Sequence, residues 1–266
     1  MQVTSQAPDA ASHASVSAAV TGGSRKTYAR LIGALFLIGF LTYGIGFTLV
    51  NSVITVPDFL SNIPAVQTTL ILGAFLMLGN TVVDVSKGVL FFPILENHGK
   101  RTALVYLAAI VVQVVLLDIG ALFLLMLVPL AQIAADVGAA SAAWAPGLAS
   151  LLTESNTIAY NVGQATLSFG GIFLCLLLFR TRLIPQVLAG LGVVGYVLHG
   201  AGSVSEIFGV PLSLFLLIPG ALFEIGIAFW LIFKGFNSAA VAKGLSHVGA
   251  DRPTPELAAA PIAVAT

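Results

Sequence analysis

Six long runs of apolar residues constrain this chain more than any other feature of its sequence. They cover residues 31–50, 65–92, 102–128, 158–179, 183–205 and 211–233. A helix of about 20 mostly apolar residues is long enough to cross the hydrocarbon core of a bilayer, which is about 30 Å thick. Strands of a membrane barrel would be about ten residues long, with alternating polarity. The runs therefore predict an all-α, polytopic membrane protein with about six transmembrane helices.

The composition agrees with a protein whose solvent is mostly lipid. Hydrophobic residues make up 58% of the chain and charged residues only 8%, whereas soluble proteins carry about 25% charged residues. The formal net charge is zero, which gives no indication of a nucleic-acid partner. We expect the lipid bilayer as the partner, and nothing in the sequence indicates a cofactor or a particular protein partner.

Apart from Lys87 in the second span, lysine and arginine residues lie only in alternate loops and in the two tails. This pattern predicts the orientation in the membrane. The first, third and fifth loops, at residues 51–64, 129–157 and around Glu206, contain no basic residue. The other connections and both tails do, and cytoplasmic segments are enriched in these residues. The prediction is a multi-pass protein of the cytoplasmic membrane with both termini in the cytoplasm. The basic residues of this pattern are Arg25, Lys26, Arg30, Lys100, Arg101, Arg180, Arg182, Lys234, Lys243 and Arg252.

The predicted membrane domain, residues 25–236, lies between two tails without apolar periodicity. Residues 1–24 and 237–266 are rich in small and polar residues, and we expect both to be disordered cytoplasmic tails. The third loop has apolar residues at helical spacing after Pro129. It forms either a short helix on the outer membrane surface or an extension of the third span with a kink at Pro129.

Ionisable residues inside the spans are the candidate functional residues. Each costs at least about 2.5 kcal/mol in lipid, so each should face other helices or water. Asp84 and Lys87 are three residues apart and share a helix face, and we interpret them as an ion pair at the inner interface. Asp118, His199 and Glu224 form a candidate intramembrane polar cluster. The cluster is either responsive to protons or cations or serves only as interhelical hydrogen bonding.

Uncharged polar residues inside the spans form a second, weaker group. Such side chains more often join helices than bind ligands, and we expect packing roles for them. They are Asn80, Gln113, Asn161, Gln164 and Ser168.

No catalytic, metal-binding or cofactor-binding motif is recognisable. The four histidines are dispersed, and the single cysteine, Cys175, lies inside an apolar run. A role other than enzyme catalysis is therefore favoured. The first hypothesis is a small transporter or ion-coupled carrier. The alternatives are a membrane scaffold or regulatory subunit and, with less support, a lipid-modifying enzyme.

The last third of the chain resembles the bacterial membrane family catalogued as domain of unknown function 4386. The resemblance lies in residues 179–185 (FRTRLIP), 192–196 (GVVGY) and 228–235 (AFWLIFKG), together with Glu224. In the second span, Asp84 is similar to a position that is often acidic in the family. The resemblance implies a bacterial polytopic membrane protein and brings no activity with it.

Two short segments suggest an internal repeat. Residues 116–123 (LLDIGALF) and 222–229 (LFEIGIAF) each have an acid followed by Ile-Gly, with Phe five residues after the acid. Three-helix units in inverted orientation are common in carriers. The hypothesis is a 3+3 inverted repeat of residues 31–128 and 158–233, in which Asp118 and Glu224 are symmetry mates.

Overall fold

The computed structural model describes residues 22–138 and 141–250, and in these residues it contains helices and no strand. The all-α prediction is confirmed. The tail residues 1–21 and 251–266, which we expected to be disordered, lie outside the described part. The helices are α1 (Gly22–Ile54), α2 (Phe59–Leu125), α3 (Leu127–Val137), α4 (Ala145–Thr181), α5 (Gln186–Ile207), α6 (Ser213–Phe233) and α7 (Ser238–Ala250).

The longest helix, α2, is folded back on itself at Gly99, where the backbone is extended instead of helical. Its two arms pack antiparallel: the ring of Phe91 meets that of Tyr106, and Asp84 contacts Gln113 further from the turn. Five helices in the described residues are long and apolar enough to cross a membrane. Because one of them doubles back, the described residues contain six segments of spanning length. The arms, residues 59–98 and 100–125, are called α2a and α2b.

The six spanning segments pack in a closed ring, in the order α1, α2a, α2b, α4, α5, α6 and back to α1. Small residues allow the close approach of neighbouring helices. A Cβ atom on Gly46 of α1 would lie 2.7 Å from the carbonyl oxygen of Gly73 in α2a. A Cβ atom on Gly195 of α5 would lie 2.7 Å from Cα of Gly220 in α6. The ring therefore leaves no room for larger side chains at these crossings.

Two clusters of buried apolar side chains stabilise the two ends of the ring. The cluster at the end that carries the Gly99 turn, called the Gly99 end, includes Phe36, Phe91 and Phe223. The cluster at the opposite end, called the α3 end, includes Ile63 and Leu127. Many other large apolar side chains are exposed on the outside of the bundle, as expected for residues that face acyl chains.

Helix α3 continues the third span outward. Of the two alternatives for the third loop, the structure therefore shows the extension of the span and not the separate surface helix. Hydrogen bonds from Met126 N to Leu122 O and from Leu130 N to Met126 O carry the helical pattern across the junction. The break falls at Met126 because Pro129 has no N–H for the carbonyl of Leu125 and its ring clashes with that carbonyl.

The structure differs from our expectation over the first residues of the C-terminal tail. Helix α7 begins at Ser238, whereas we expected no regular structure from residue 237 onward. The helix is held to the Gly99 end, because Asn237 N donates to Leu183 O at 2.9 Å. His98 Nε2 also lies 3.0 Å from the carbonyl oxygen of Ala240. At the other terminus, α1 already begins at Gly22, inside the expected N-terminal tail.

Candidate functional site

A cavity of about 550 Å³ lies inside the ring, at mid-length of the spanning helices. Its volume is in the range of about 300–1,000 Å³ that small-molecule sites occupy. All six spanning segments contribute to its wall. The polar residues that line it are Tyr43, Asn80, Asp84, Lys87, Gln113, Tyr160, Gln164, Tyr196, His199, Ser213 and Glu224.

An ion pair on α2a forms one wall of this cavity. Lys87 Nζ lies 2.6 Å from Asp84 Oδ1. Asn80 Nδ2 and Gln113 Nε2 donate to the other oxygen, Oδ2, at 3.1 and 3.3 Å. The ammonium of Lys87 also lies 4.7 Å from the centroid of the Phe36 ring, where cation–π attraction acts. The charges of Asp84 and Lys87 therefore neutralise each other within a single helix face.

Glu224 of α6 faces the same wall from across the cavity. The hydroxyl of Tyr196 donates to Glu224 Oε1 at 2.9 Å, and Lys87 is near enough for a direct electrostatic interaction. Asp84 already holds Lys87 in an ion pair. With both carboxylates ionised, the formal charges of the cavity wall sum to minus one, and Glu224 is the carboxylate without its own cation.

Two buried polar atoms in the cavity wall have no hydrogen-bond partner among the described residues. They are Gln113 Oε1 and His199 Nδ1. Gln113 is only 3% exposed and His199 only 6%. His199 Nε2 lies 3.1 Å from Gln164 Oε1. Because an amide oxygen only accepts, Nε2 carries the proton and the neutral ring leaves Nδ1 as an acceptor. Both atoms are therefore buried acceptors on residues that line the cavity.

Aromatic rings cover the cavity on the side of the α3 end. Tyr43 and Tyr160 stack with their centroids 5.7 Å apart, and Phe47 stacks on Tyr43 at 6.3 Å. All three side chains line the cavity. The stacked rings therefore add aromatic apolar surface beside the polar and charged groups of the cavity wall.

Helices α1 and α6 meet at the Gly99 end and separate towards the α3 end. A Cβ atom on Gly33 would lie 2.6 Å from the carbonyl oxygen of Ala228, and Arg30 Nε donates to Ile232 O at 3.2 Å. A Cβ atom on Gly44, three turns further along α1, would find no atom within 4 Å. The gap between the two helices is therefore the side on which the cavity opens.

The rim of this gap is apolar. The side chains of Phe40, Phe47 and Leu214 line the cavity, and these residues are 37%, 49% and 71% exposed. All three lie on spanning helices, so in a bilayer the rim faces acyl chains. The cavity thus joins a charged wall to a lipid-facing opening.

The structure places Asp84, Lys87, His199 and Glu224 around one cavity. The pair that we expected at the inner interface and two members of the expected cluster therefore belong to a single site. Asp118 does not line it: this residue lies on α2b near Thr81, and its Oδ1 atom has no hydrogen-bond partner in the described part of the chain. The inverted repeat, in which Asp118 and Glu224 would be equivalent, stays a prediction.

Several cavity residues were missed because we expected uncharged polar residues to serve only in packing. Asn80, Gln113 and Gln164 line the cavity, whereas Asn161 and Ser168 do not. One signal was available, since Asn80, Asp84 and Lys87 have the i, i+4, i+7 spacing of one helix face. The tyrosines gave no such signal, because the contacts of Tyr43 with Tyr160 and of Tyr196 with Glu224 join helices that are distant in sequence. In the described residues, no three His, Cys, Asp or Glu side chains are grouped as a metal site would require.

Comparison with known protein families identifies a match over most of the chain. A family model described as "Domain of unknown function (DUF4386)" matches residues 31–235, a range that contains every residue lining the cavity. No curated protein and no solved structure matches the chain.

Proposed function

Because this chain belongs to the DUF4386 family, whose description states no activity, we propose a function from the cavity itself. The protein is a multi-pass membrane carrier that binds a small solute among Asp84, Lys87, His199 and Glu224. The observation that carries this proposal is a cavity of about 550 Å³ with a charged wall inside a bundle of spanning helices.

The free-energy cost of the polar wall favours a binding site over a scaffold. An ionisable group at mid-membrane costs at least about 2.5 kcal/mol, and an unsatisfied buried polar group costs about 1–3 kcal/mol. A scaffold needs neither, because a solid apolar core would hold its helices together. A bound solute would satisfy the free acceptors and offset these costs. Mid-membrane sites between helices are also the usual location of binding sites in carriers.

The proposed orientation follows from the basic residues. Lys100, Arg101, Arg180, Arg182 and Lys234 all lie at the Gly99 end, and the positive-inside rule assigns this end to the cytoplasm. The gap between α1 and α6 then opens towards the outer leaflet of the cytoplasmic membrane. The solute would enter the cavity from that side.

A carrier can be tested even though the identity of its solute is open. Proteoliposomes containing the wild-type protein are incubated with a metabolite extract, washed, and analysed by mass spectrometry for retained compounds. Gly44→Trp places a large ring in the cavity without a backbone clash. Gly79→Trp introduces the same ring at a position outside the cavity lining where a Cβ atom also finds no atom within 4 Å.

We expect at least one compound to be retained with the wild type and Gly79→Trp and lost with Gly44→Trp. Equal retention of every compound by all three proteins would contradict a carrier that works through this cavity.

A further inference from the structure

We propose that the solute is an amphipathic organic monocation, with an ammonium group held by Glu224 and an apolar chain in the gap between α1 and α6. This inference rests on the proposed function and adds the chemical class of the ligand. It follows from the charge of the wall, its hydrogen-bonding groups, its aromatic rings and the apolar rim.

The charge of the wall favours a cation. Asp84 and Lys87 are joined at 2.6 Å, so the pair is neutral. Glu224 accepts a hydrogen bond from the Tyr196 hydroxyl and interacts electrostatically with Lys87. The cavity lining contains no second cation to pair with it. With Glu224 ionised, a ligand with one positive charge would bring the sum of the formal charges to zero, and pairing lowers the cost of a charge in a low-dielectric site.

The hydrogen-bonding groups of the wall match an ammonium group. A primary ammonium has three donors and no acceptor. Among the acceptors of the wall, the Glu224 carboxylate is the one that carries a charge without a cation of its own. Gln113 and His199 line the same cavity, and their acceptor atoms Oε1 and Nδ1 are buried and have no partner in the described residues. One donor of Lys87 and one of Gln113 are directed to Asp84.

The aromatic rings and the rim suit the rest of such a ligand. Tyr43 and Tyr160 line the cavity and stack on each other, so they add aromatic apolar surface beside the charged wall. Phe40, Phe47 and Leu214 line the opening and are exposed on the outside of the bundle. An alkyl chain that leaves the cavity through this gap would remain in contact with apolar side chains and lipid, so the chain length is not limited by the cavity volume.

The test measures equilibrium binding of radiolabelled octylammonium to the full-length protein in nanodiscs of zwitterionic lipid. Nanodiscs without protein correct for partition into lipid. Gly44→Trp fills the cavity, and Gly79→Trp is the matched control for the added ring. Three comparison ligands test one property each. Octanoate has a negative head group, octanol has an uncharged one, and ethylammonium has a shorter chain.

We expect saturable octylammonium binding that Gly44→Trp abolishes and Gly79→Trp preserves. Glu224→Gln should weaken this binding about tenfold or more, because hydrogen bonds to charged groups contribute more than neutral ones. Asp118→Asn removes an intramembrane carboxylate outside the cavity and should leave binding within about twofold of the wild type. Octanoate and octanol should not compete, and ethylammonium should bind more weakly.

Two results would overturn the assignment: competition by octanoate or octanol as strong as that by octylammonium, or unchanged octylammonium binding by Glu224→Gln. Binding of ethylammonium as tight as that of octylammonium would overturn the role of the apolar chain. The metabolite assay distinguishes failure of the monocation assignment from failure of the carrier proposal. A retained compound that is anionic or neutral would keep the carrier and exclude the monocation.

Discussion

At the scale of single residues, the Asp84–Lys87 pair shows how a charge is held inside the membrane. The three partners of the Asp84 carboxylate all lie within the ring, two of them on its own helix arm. Removal of only one charge of a buried pair leaves the other uncompensated, which typically costs about 3–5 kcal/mol. Replacement of both by neutral groups costs far less.

We therefore expect Lys87→Met to lower the thermal unfolding temperature in detergent more than the double variant Asp84→Asn/Lys87→Met. The double variant retains an amide oxygen for the donors of Asn80 and Gln113. A fluorescence-monitored melt of the purified proteins measures the difference. A double variant as unstable as Lys87→Met would show that the charge of Asp84 is not the destabilising group.

Close helix contact at Gly195 leads to a second prediction at this scale. Gly195→Ala would place a Cβ atom 2.7 Å from the backbone of Gly220, and such overpacking costs about 1–3 kcal/mol. Gly79→Ala makes the same change where nothing lies within 4 Å and should stabilise helix α2 by about 0.5–1 kcal/mol. Opposite shifts of the unfolding temperature are expected; equal shifts would contradict the tight α5–α6 crossing.

Residue spacing in the sequence predicts which side chains of one helix share a face, and it correctly pairs Asp84 with Lys87. It does not predict that Glu224 and Tyr196 join them, because contacts between distant helices depend on how each span is rotated about its axis. Six apolar spans leave that rotation open. Asp118 illustrates the difficulty, since it lies well inside its span, as Glu224 does, and yet is outside the cavity lining.

At the scale of elements, Asn237 ties the last described helix to the bundle. Its Oδ1 accepts from Ala239 N at 3.1 Å, which caps α7, and its Nδ2 donates to Arg182 O at 3.3 Å. A lost N-cap typically costs about 1 kcal/mol. We did not predict this helix from the sequence, although Val241, Leu245 and Val248 have the i, i+4, i+7 spacing of one helix face.

We expect Asn237→Ala to speed amide hydrogen exchange in residues 238–250 about fivefold, as the loss of a cap implies. Asn237→Asp keeps the capping oxygen and loses only the donor to Arg182, so its exchange should stay closer to that of the wild type. Mass spectrometry of peptides from α7 measures both. If exchange in Asn237→Ala is unchanged, the cap does not stabilise this helix.

At the scale of the whole molecule, the number of passes was predictable because lipid leaves the backbone few choices. Each span must satisfy its own backbone hydrogen bonds, so every apolar run of sufficient length becomes a helix. The fold at Gly99 lies between the second and third runs, where the sequence has Lys100 and Arg101. This argument does not decide between the two alternatives for the third loop. It also does not predict that α4 begins at Ala145, ahead of the apolar run at residues 158–179, since lipid does not constrain segments outside the runs.

The orientation can be tested by labelling in a Cys175→Ala background. Ala143→Cys and Ala239→Cys introduce the same side chain at exposed positions near opposite ends of the bundle. A membrane-impermeant maleimide on intact cells should modify Ala143→Cys and should modify Ala239→Cys only after permeabilisation. The opposite result would invert the proposed topology and direct the gap between α1 and α6 towards the cytoplasm.

Closure of the ring between α1 and α6 has a consequence for biosynthesis. Of the six spanning segments described, α1 leaves the ribosome first and α6 last, so the cavity does not exist until α6 has been made. Glu224 follows Asp84 by 140 residues, which takes roughly 7–30 s at typical translation rates of about 5–20 residues per second. During that interval the second span must remain in the membrane without Glu224. Because Asp84 lies one helical turn from Lys87, each charge is neutralised within its own nascent helix from the moment of insertion.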